Sequence, residues 1–307
     1  MSTKAHAAGL GPIATPDLRP LAWALATLGL GIMAFAVEMT YARLHLYVLI
    51  PGAILAFVPK RPLSWASPAV RRLGYIAPIP LAVTAVVFSA FWDNLIFSKG
   101  VFTFDRSTML GTMLHLPLEE WFWFIDHTLL ASFFTLTLMN HAQPQRPMPE
   151  GDSLVRLGGV AVCAVLSVVG VWLVLQPNEH LLFLGVNLAF MFPVLGLHWW
   201  VGSHILLQNK RVWLLGVAIP SLYLLGLDYW ALEAGIWHLS PHYITGIKIF
   251  DIYFEQILIY TLPTILVVQT ILLVMRMGES MLAQSDRGEL DGGIFRGLMG
   301  ALRHRIP

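Results

Sequence analysis

The chain has 307 residues, 57% of them hydrophobic and only 12% charged, against roughly 25% charged in an average soluble domain. A formal net charge of +1 excludes the basic footprint of a nucleic-acid-binding protein. The single cysteine, Cys163, excludes an intramolecular disulfide framework and a cysteine-based metal site.

Residues Met1 to Arg19 are polar and too long for the leader of a cleavable signal. The first apolar run, 20–37, lacks a persuasive cleavage site and reads as a signal anchor. Further apolar runs follow near 43–59, 75–98, 109–138, 154–176, 181–208, 212–231 and 246–275. Spans of about 18 or more apolar residues can cross a bilayer. The run at 43–59 is short and interrupted by Pro51-Gly52. The pattern predicts an all-α integral membrane protein with about eight transmembrane helices, flanked by polar tails at 1–19 and 276–307. Fifteen Lys and Arg residues fall on the side of the two termini and four (Arg43, Lys99, Arg106 and Lys248) on the other. That bias predicts cytoplasmic termini, in a bacterial or archaeal cytoplasmic membrane.

The fourth span contains Pro117-Leu118-Glu119-Glu120, two adjacent carboxylates in an apolar stretch, with Asp126 and His127 beyond them. An ionisable side chain at membrane depth costs roughly 2.5–3.5 kcal/mol on insertion scales, so it marks a functional site by default. A shift of 135 residues, without a gap, lays Asp93 on Asp228, Gly100 on Gly235, Phe102 on Trp237, Gly111 on Gly246 and Glu120 on Glu255. The chain therefore reads as two parallel four-helix repeats, 20–140 and 141–275. On this register Glu120 and Glu255 lie about 13 Å along their helices from the second glycines, in one central cleft with Asp93 and Asp228 at its rim. Glu119, lacking a counterpart, supports Glu120. On the last helix, Lys248, Asp251 and Glu255 share a face.

Two carboxyls converging in a dry pocket allow one to stay protonated as a general acid while another acts as base. Around them cluster Trp92, Phe102, Phe104, Trp121, Phe122, Trp123 and Trp237, whose aromatic faces stabilise cations. Acid, aromatic walls and a membrane setting suggest protonation of an alkene and containment of the carbocation. Plainer readings stand beside this one: Trp92, Trp230 and Trp237 fit an interfacial belt, Asp93 and Asp228 fit helix-end caps, and His198 and His204 fit structural contacts. Asp126 and His127 fit internal polar contacts, and Lys248 fits a neutralising partner of Asp251.

The pattern Trp92-Asp93-Asn94, Gly100-Val101-Phe102-x-Phe104-Asp105, Gly111 and Pro117-Leu118-Glu119-Glu120-x-Phe122 resembles the lycopene cyclase domain family. These are small integral-membrane carotenoid cyclases, found as two related chains or fused tandem copies. The resemblance recurs, weakened, as Asp228, Gly235-Ile236-Trp237, Gly246 and Glu255. It implies closure of linear carotenoid ends into six-membered, usually β-type, rings without net redox. The flavin-containing cyclases carry a Gly-rich dinucleotide fingerprint that this chain lacks, so no cofactor and no metal are expected. The partners expected are a carotenoid or terpenoid substrate and the bilayer. Eight spans exceed the layout of three helices per copy that the family suggests. A membrane prenyltransferase or other terpenoid cyclase, a proton-coupled transporter and a carotenoid-binding membrane protein remain open alternatives.

Overall fold

The computed structural model describes residues 40–57, 68–139 and 153–286; the span predicted at 20–37 and the tail beyond 286 lie outside the described residues. Eight helices are seen there: α1 (Tyr41–Phe57), α2 (Pro68–Ile76), α3 (Pro78–Lys99), α4 (Leu118–Met139), α5 (Ser153–Val174), α6 (Leu182–Gln208), α7 (Lys210–Glu233) and α8 (Phe254–Asp286). Six stretches are long and apolar enough to cross a membrane: Arg72–Lys99, Leu118–Met139, Ser153–Val174, Glu179–Gln208, Lys210–Glu233 and Phe254–Met281. Tyr41–Ala56, which carries Pro51, is a shorter apolar helix.

Two predicted helices begin later than the apolar runs suggest. Gly111 to Pro117 does not continue α4 but forms a hairpin of β2 (Thr112–Met113) and β3 (Leu116–Pro117). Proline disfavours helical backbone at the residue before it, so Leu116 is extended, and Leu114 turns the chain at a φ of 59°. The same hairpin precedes α8, as β5 (Lys248–Ile249) and β6 (Ile252–Tyr253), with Phe250 and Asp251 at positive φ. Glu119, Glu120 and Glu255 therefore sit in first helical turns, not two or three turns down a helix. Lys248 and Asp251 share no helical face with Glu255; the Lys248 ammonium lies 4.7 Å over the Tyr253 ring instead. The segment from Arg276 is not a polar tail at its start, because α8 runs on to Asp286. Arg276 is buried there, donating to Asn209 at the α6–α7 junction and to Glu279.

A third ribbon ties the halves of the molecule together. α3 and α7 both end in a left-handed glycine, Gly100 (φ 75°) and Gly235 (φ 69°), a conformation only glycine adopts freely. The strands that follow, β1 (Phe102–Phe104) and β4 (Trp237–Leu239), pair antiparallel with Thr103 opposite His238. Asp105 N–H to Ile236 O at 3.2 Å and Ser240 N–H to Val101 O at 2.8 Å lengthen the pairing at both ends. Asp105 accepts from the Ser107 amide and hydroxyl at 2.9 and 2.8 Å, which holds its carboxyl below the usual range and pins the turn after β1.

Burial orders the helices. The α4 span is 61% buried, packed by α1, α3, α7 and α8, whereas the α5 span is 17% buried and rests on α6. Gly170 and Gly185 bring α5 and α6 into backbone contact. A Cβ on Gly170 would stand 2.7 Å from Leu188 Cβ and 2.8 Å from the Gly185 carbonyl oxygen. Gly170→Leu is expected to lower stability by about 1–3 kcal/mol. Gly158→Leu, on the same helix with open space around its Cβ, is expected to stay within about 0.5 kcal/mol. Thermal unfolding of both variants in detergent checks the contrast.

Candidate active site

An apolar cavity of ≈ 590 Å³ runs between α3, α4, α6 and α8. Its lining along α8 extends from Ile259 to Val274, about 22 Å at 1.5 Å per residue. One end is polar, where Tyr41, Asp93, Glu120, Trp237 and Tyr260 meet; the other is apolar, lined by Leu73, Ile76 and Val274.

Glu120 reaches the polar end because the β2–β3 hairpin starts α4 two residues earlier. Its Oε1 accepts a 2.7 Å hydrogen bond from the Tyr41 hydroxyl, 79 residues away on α1. Asp93, buried six residues before the end of α3, lines the same end and interacts electrostatically with Glu120. Around them Tyr41 stacks on Phe104 at 5.6 Å and meets Trp237 edge-on at 5.2 Å. Trp123 stands edge-on to Trp237 and to Tyr260. This is an acid pair in an aromatic cage.

The other predicted acids make their hydrogen bonds elsewhere. Glu119 is 2% exposed and faces away from the cavity; its Oε1 accepts the Leu110 amide at 2.6 Å. Glu255 is fully buried and does the same for Thr245 at 2.8 Å. Each clamps the loop entering its hairpin. Asp228 accepts three hydrogen bonds, from Trp237 Nε1 (3.1 Å), Tyr260 OH (2.8 Å) and Gln256 Nε2 (2.7 Å). Neither Asp228 nor Glu255 lines the cavity.

These partners overturn the gapless match of Glu120 with Glu255. The spacing of 135 holds through the α3 and α7 ends and through Leu110 and Thr245. The Leu118 N–H then bonds Gly111 O, whereas Phe254 N–H bonds Ile247 O, a spacing of 136. Thr128 to Phe124 O and Thr264 to Tyr260 O keep the new spacing. One extra residue, Gly246, shifts the second helix, so Glu119 corresponds to Glu255 and Glu120 to Gln256. A sequence comparison that allowed one gap would align Leu118-Glu119-Glu120 with Phe254-Glu255-Gln256.

Of the predicted aromatic residues, Trp92, Phe102, Phe104, Trp123 and Trp237 line the cavity. Phe122 is 59% exposed on the outside of the bundle, and Trp121 packs into the neighbouring core rather than the cavity. The sequence reading missed Tyr41, Tyr260 and Gln256. No local motif marks Tyr41, and Tyr260 shows its relation to Phe124 only in the shifted register. His127 lines the cavity about two helical turns along from Glu120, on the same face. Thr264 donates to the Tyr260 carbonyl at 2.6 Å and so accepts from His127 Nε2 at 2.8 Å, which leaves Nδ1 as the acceptor of a neutral ring. Asp126 pairs with His45 Nδ1 at 2.8 Å, and His198 meets Gln269 and Thr270. Among the described residues, no group of His, Cys, Asp and Glu converges to hold a metal ion.

Removing the loop clamp by Glu119→Ala or Glu255→Ala is expected to cost about 1–3 kcal/mol each, because a buried amide loses its acceptor. Glu119→Gln and Glu255→Gln keep an acceptor oxygen and are expected to lose less, measured as unfolding midpoints in detergent.

No family model matches the chain, and no solved structure matches it. The chain is 29% identical over 230 residues to a lycopene beta-cyclase of Halobacterium salinarum, covering 74% of this chain and 93% of that relative. It is 27% identical over 216 residues to a bifunctional lycopene cyclase/phytoene synthase of Phycomyces blakesleeanus, covering 69% of this chain and 35% of that protein. A protein of the same description from Blakeslea trispora is 28% identical over 239 residues, covering 76% of this chain and 38% of that protein. The resemblance carried by the Pro117-Leu118-Glu119-Glu120 block thus extends across most of the chain, and its relatives are those of the lycopene cyclase family.

Proposed function

We propose that the chain is a carotenoid cyclase that closes linear, lycopene-type ends into six-membered β-type rings. The observation that carries this reading is the Asp93–Glu120 pair at the polar end of a long apolar cavity walled by aromatic rings. The similarity to lycopene beta-cyclases supports it independently. A rod-like polyene fits a cavity whose lining spans about 22 Å of helix, with one end group at the acids.

One carboxyl of the pair delivers its proton to the terminal double bond, leaving a tertiary cation. The next double bond attacks that centre through one carbon, which closes the ring and leaves the charge on its other carbon. The faces of Tyr41, Trp123 and Trp237 stabilise the travelling charge. The partner carboxylate removes a ring proton, so the product is an isomer of the substrate. The reaction balances without a redox partner, and the reading calls for no nicotinamide or flavin. Tyr41 orients Glu120, and Asp228 orients Tyr260 and Trp237 as walls of the cage.

The same reading takes the chain as eight spans in two parallel four-helix repeats, dividing near residue 140, with cytoplasmic termini in a bacterial or archaeal membrane. The recurrence of the glycine turn, hairpin and clamped glutamate in both halves supports it. Glu120 and Asp93 belong to the half that retains acid chemistry, and Gln256 marks the half that does not.

Expression in lycopene-accumulating cells is expected to yield a pigment of unchanged mass and shortened conjugation, read by chromatography and mass determination. Glu120→Gln is expected to lower ring formation by about 10²–10⁴-fold, the usual contribution of a general acid, and Asp93→Asn comparably. Glu255→Gln is expected to retain ring formation at matched protein levels. Full activity in Glu120→Gln would remove the acid from this site.

A further inference from the structure

Among the described residues, the β1–β4 ribbon adjoins the acid pair at the polar end of the cavity. Its inner face presents Phe102, Phe104 and Trp237 to the cavity, while Thr103 and His238, directly opposite one another, face outward and are exposed. No polar atom of that inner face is free to carry water inward: the indole N–H of Trp237 is committed to Asp228. Phe104 lies flat on Tyr41, the residue that holds Glu120. Main-chain hydrogen bonds from Asp105 and Ser240 continue the ribbon at both ends, and Val101 and Ile236 beneath them are fully buried.

Resting on the cyclase reading, we infer that the β1–β4 ribbon is a water seal that decides the fate of the cation at the acid pair. The tertiary cation has two competing nucleophiles. Attack by the neighbouring double bond, followed by proton loss, gives the ring. Attack by water forms a carbon–oxygen bond, and loss of a proton from that oxygen to the carboxylate gives a linear tertiary alcohol, the substrate plus one water. A dry cage permits only the first, because excluding water suppresses trapping of a reactive intermediate. The ribbon is closed during turnover, and the substrate reaches the cavity from between the helices rather than through the ribbon.

The test uses membranes containing the full chain, supplied with lycopene in water labelled with heavy oxygen. The parent yields the unlabelled cyclic isomer. Phe104→Ala, which opens the face over Tyr41, yields a product heavier by one water and carrying the label, and Trp237→Ala does so as well. Phe104→Leu, which keeps an apolar plug, yields the isomer alone. In a second arm, Thr103→Cys with His238→Cys joins a directly opposed cross-strand pair; the native Cys163 is buried. The oxidised double variant keeps the parent rate. Conversion by both alanine variants to the isomer alone, without label, overturns the seal. Loss of turnover on oxidation, restored by reductant, overturns it too, since the ribbon would then be the door for substrate; this arm decides the matter if the alanine variants do not fold. A parent that forms no ring refutes the cyclase reading instead, and is thereby told apart from a failed seal.

Discussion

Each carboxyl set among apolar helices must be met by donors or left facing a cavity, because an unpaired polar group in a low-dielectric interior is costly. That requirement organises this bundle. Glu119 and Glu255 are met by backbone amides of the loops they clamp, and Asp228 is met by an indole, a phenol and an amide. Glu120 receives a single phenol from Tyr41, and both it and Asp93 open onto the cavity. Glu119 and Glu255 also receive one donor each, so access to the cavity rather than the number of donors sets Glu120 and Asp93 apart.

The two halves repeat this design with one substitution of consequence. In the second half, Gln256 donates an amide hydrogen to Asp228; in the first, the corresponding residue is Glu120, beside Asp93. An amide cannot surrender that hydrogen, so the second pair is a fixed hydrogen bond. A carboxyl in its place holds an exchangeable proton. In the second half, Asp228, held by Gln256, fixes Tyr260 and Trp237 beside the acids of the first half.

The ribbon between β1 and β4 makes one site out of two halves. Its strands follow the matched glycine turns of α3 and α7, so the ends of equivalent helices meet over the acids. Inward residues close the aromatic cage and outward residues meet solvent, the alternation a two-stranded ribbon provides. The ribbon thus contributes Phe102, Phe104 and Trp237 to the wall of the cavity that the acids also line.

Apolar run length located six stretches long enough to cross a membrane, 43–59 being a shorter helix, and the charge of Glu119-Glu120 in such a run pointed to the polar end of the cavity, because both follow from the solvent properties of a bilayer. The matched Asp93 and Asp228, the paired glycines and five of the seven candidate aromatic residues were also legible, since local backbone and residue type carry them. The sequence comparison singled out Glu120, which lines the cavity, but through a gapless match to Glu255 that does not hold. A single inserted residue at Gly246 offsets every later side chain of α8 by about 100° from that match, and the hydrogen bonds of the hairpins reveal it. Helix starts at Leu118 and Phe254, the outward turn of Phe122, and the approach of Tyr41 to Glu120 across 79 residues were decided by tertiary structure. Hydropathy measures how apolar a segment is; which side chains meet inside the bundle depends on where each helix begins and what packs against it.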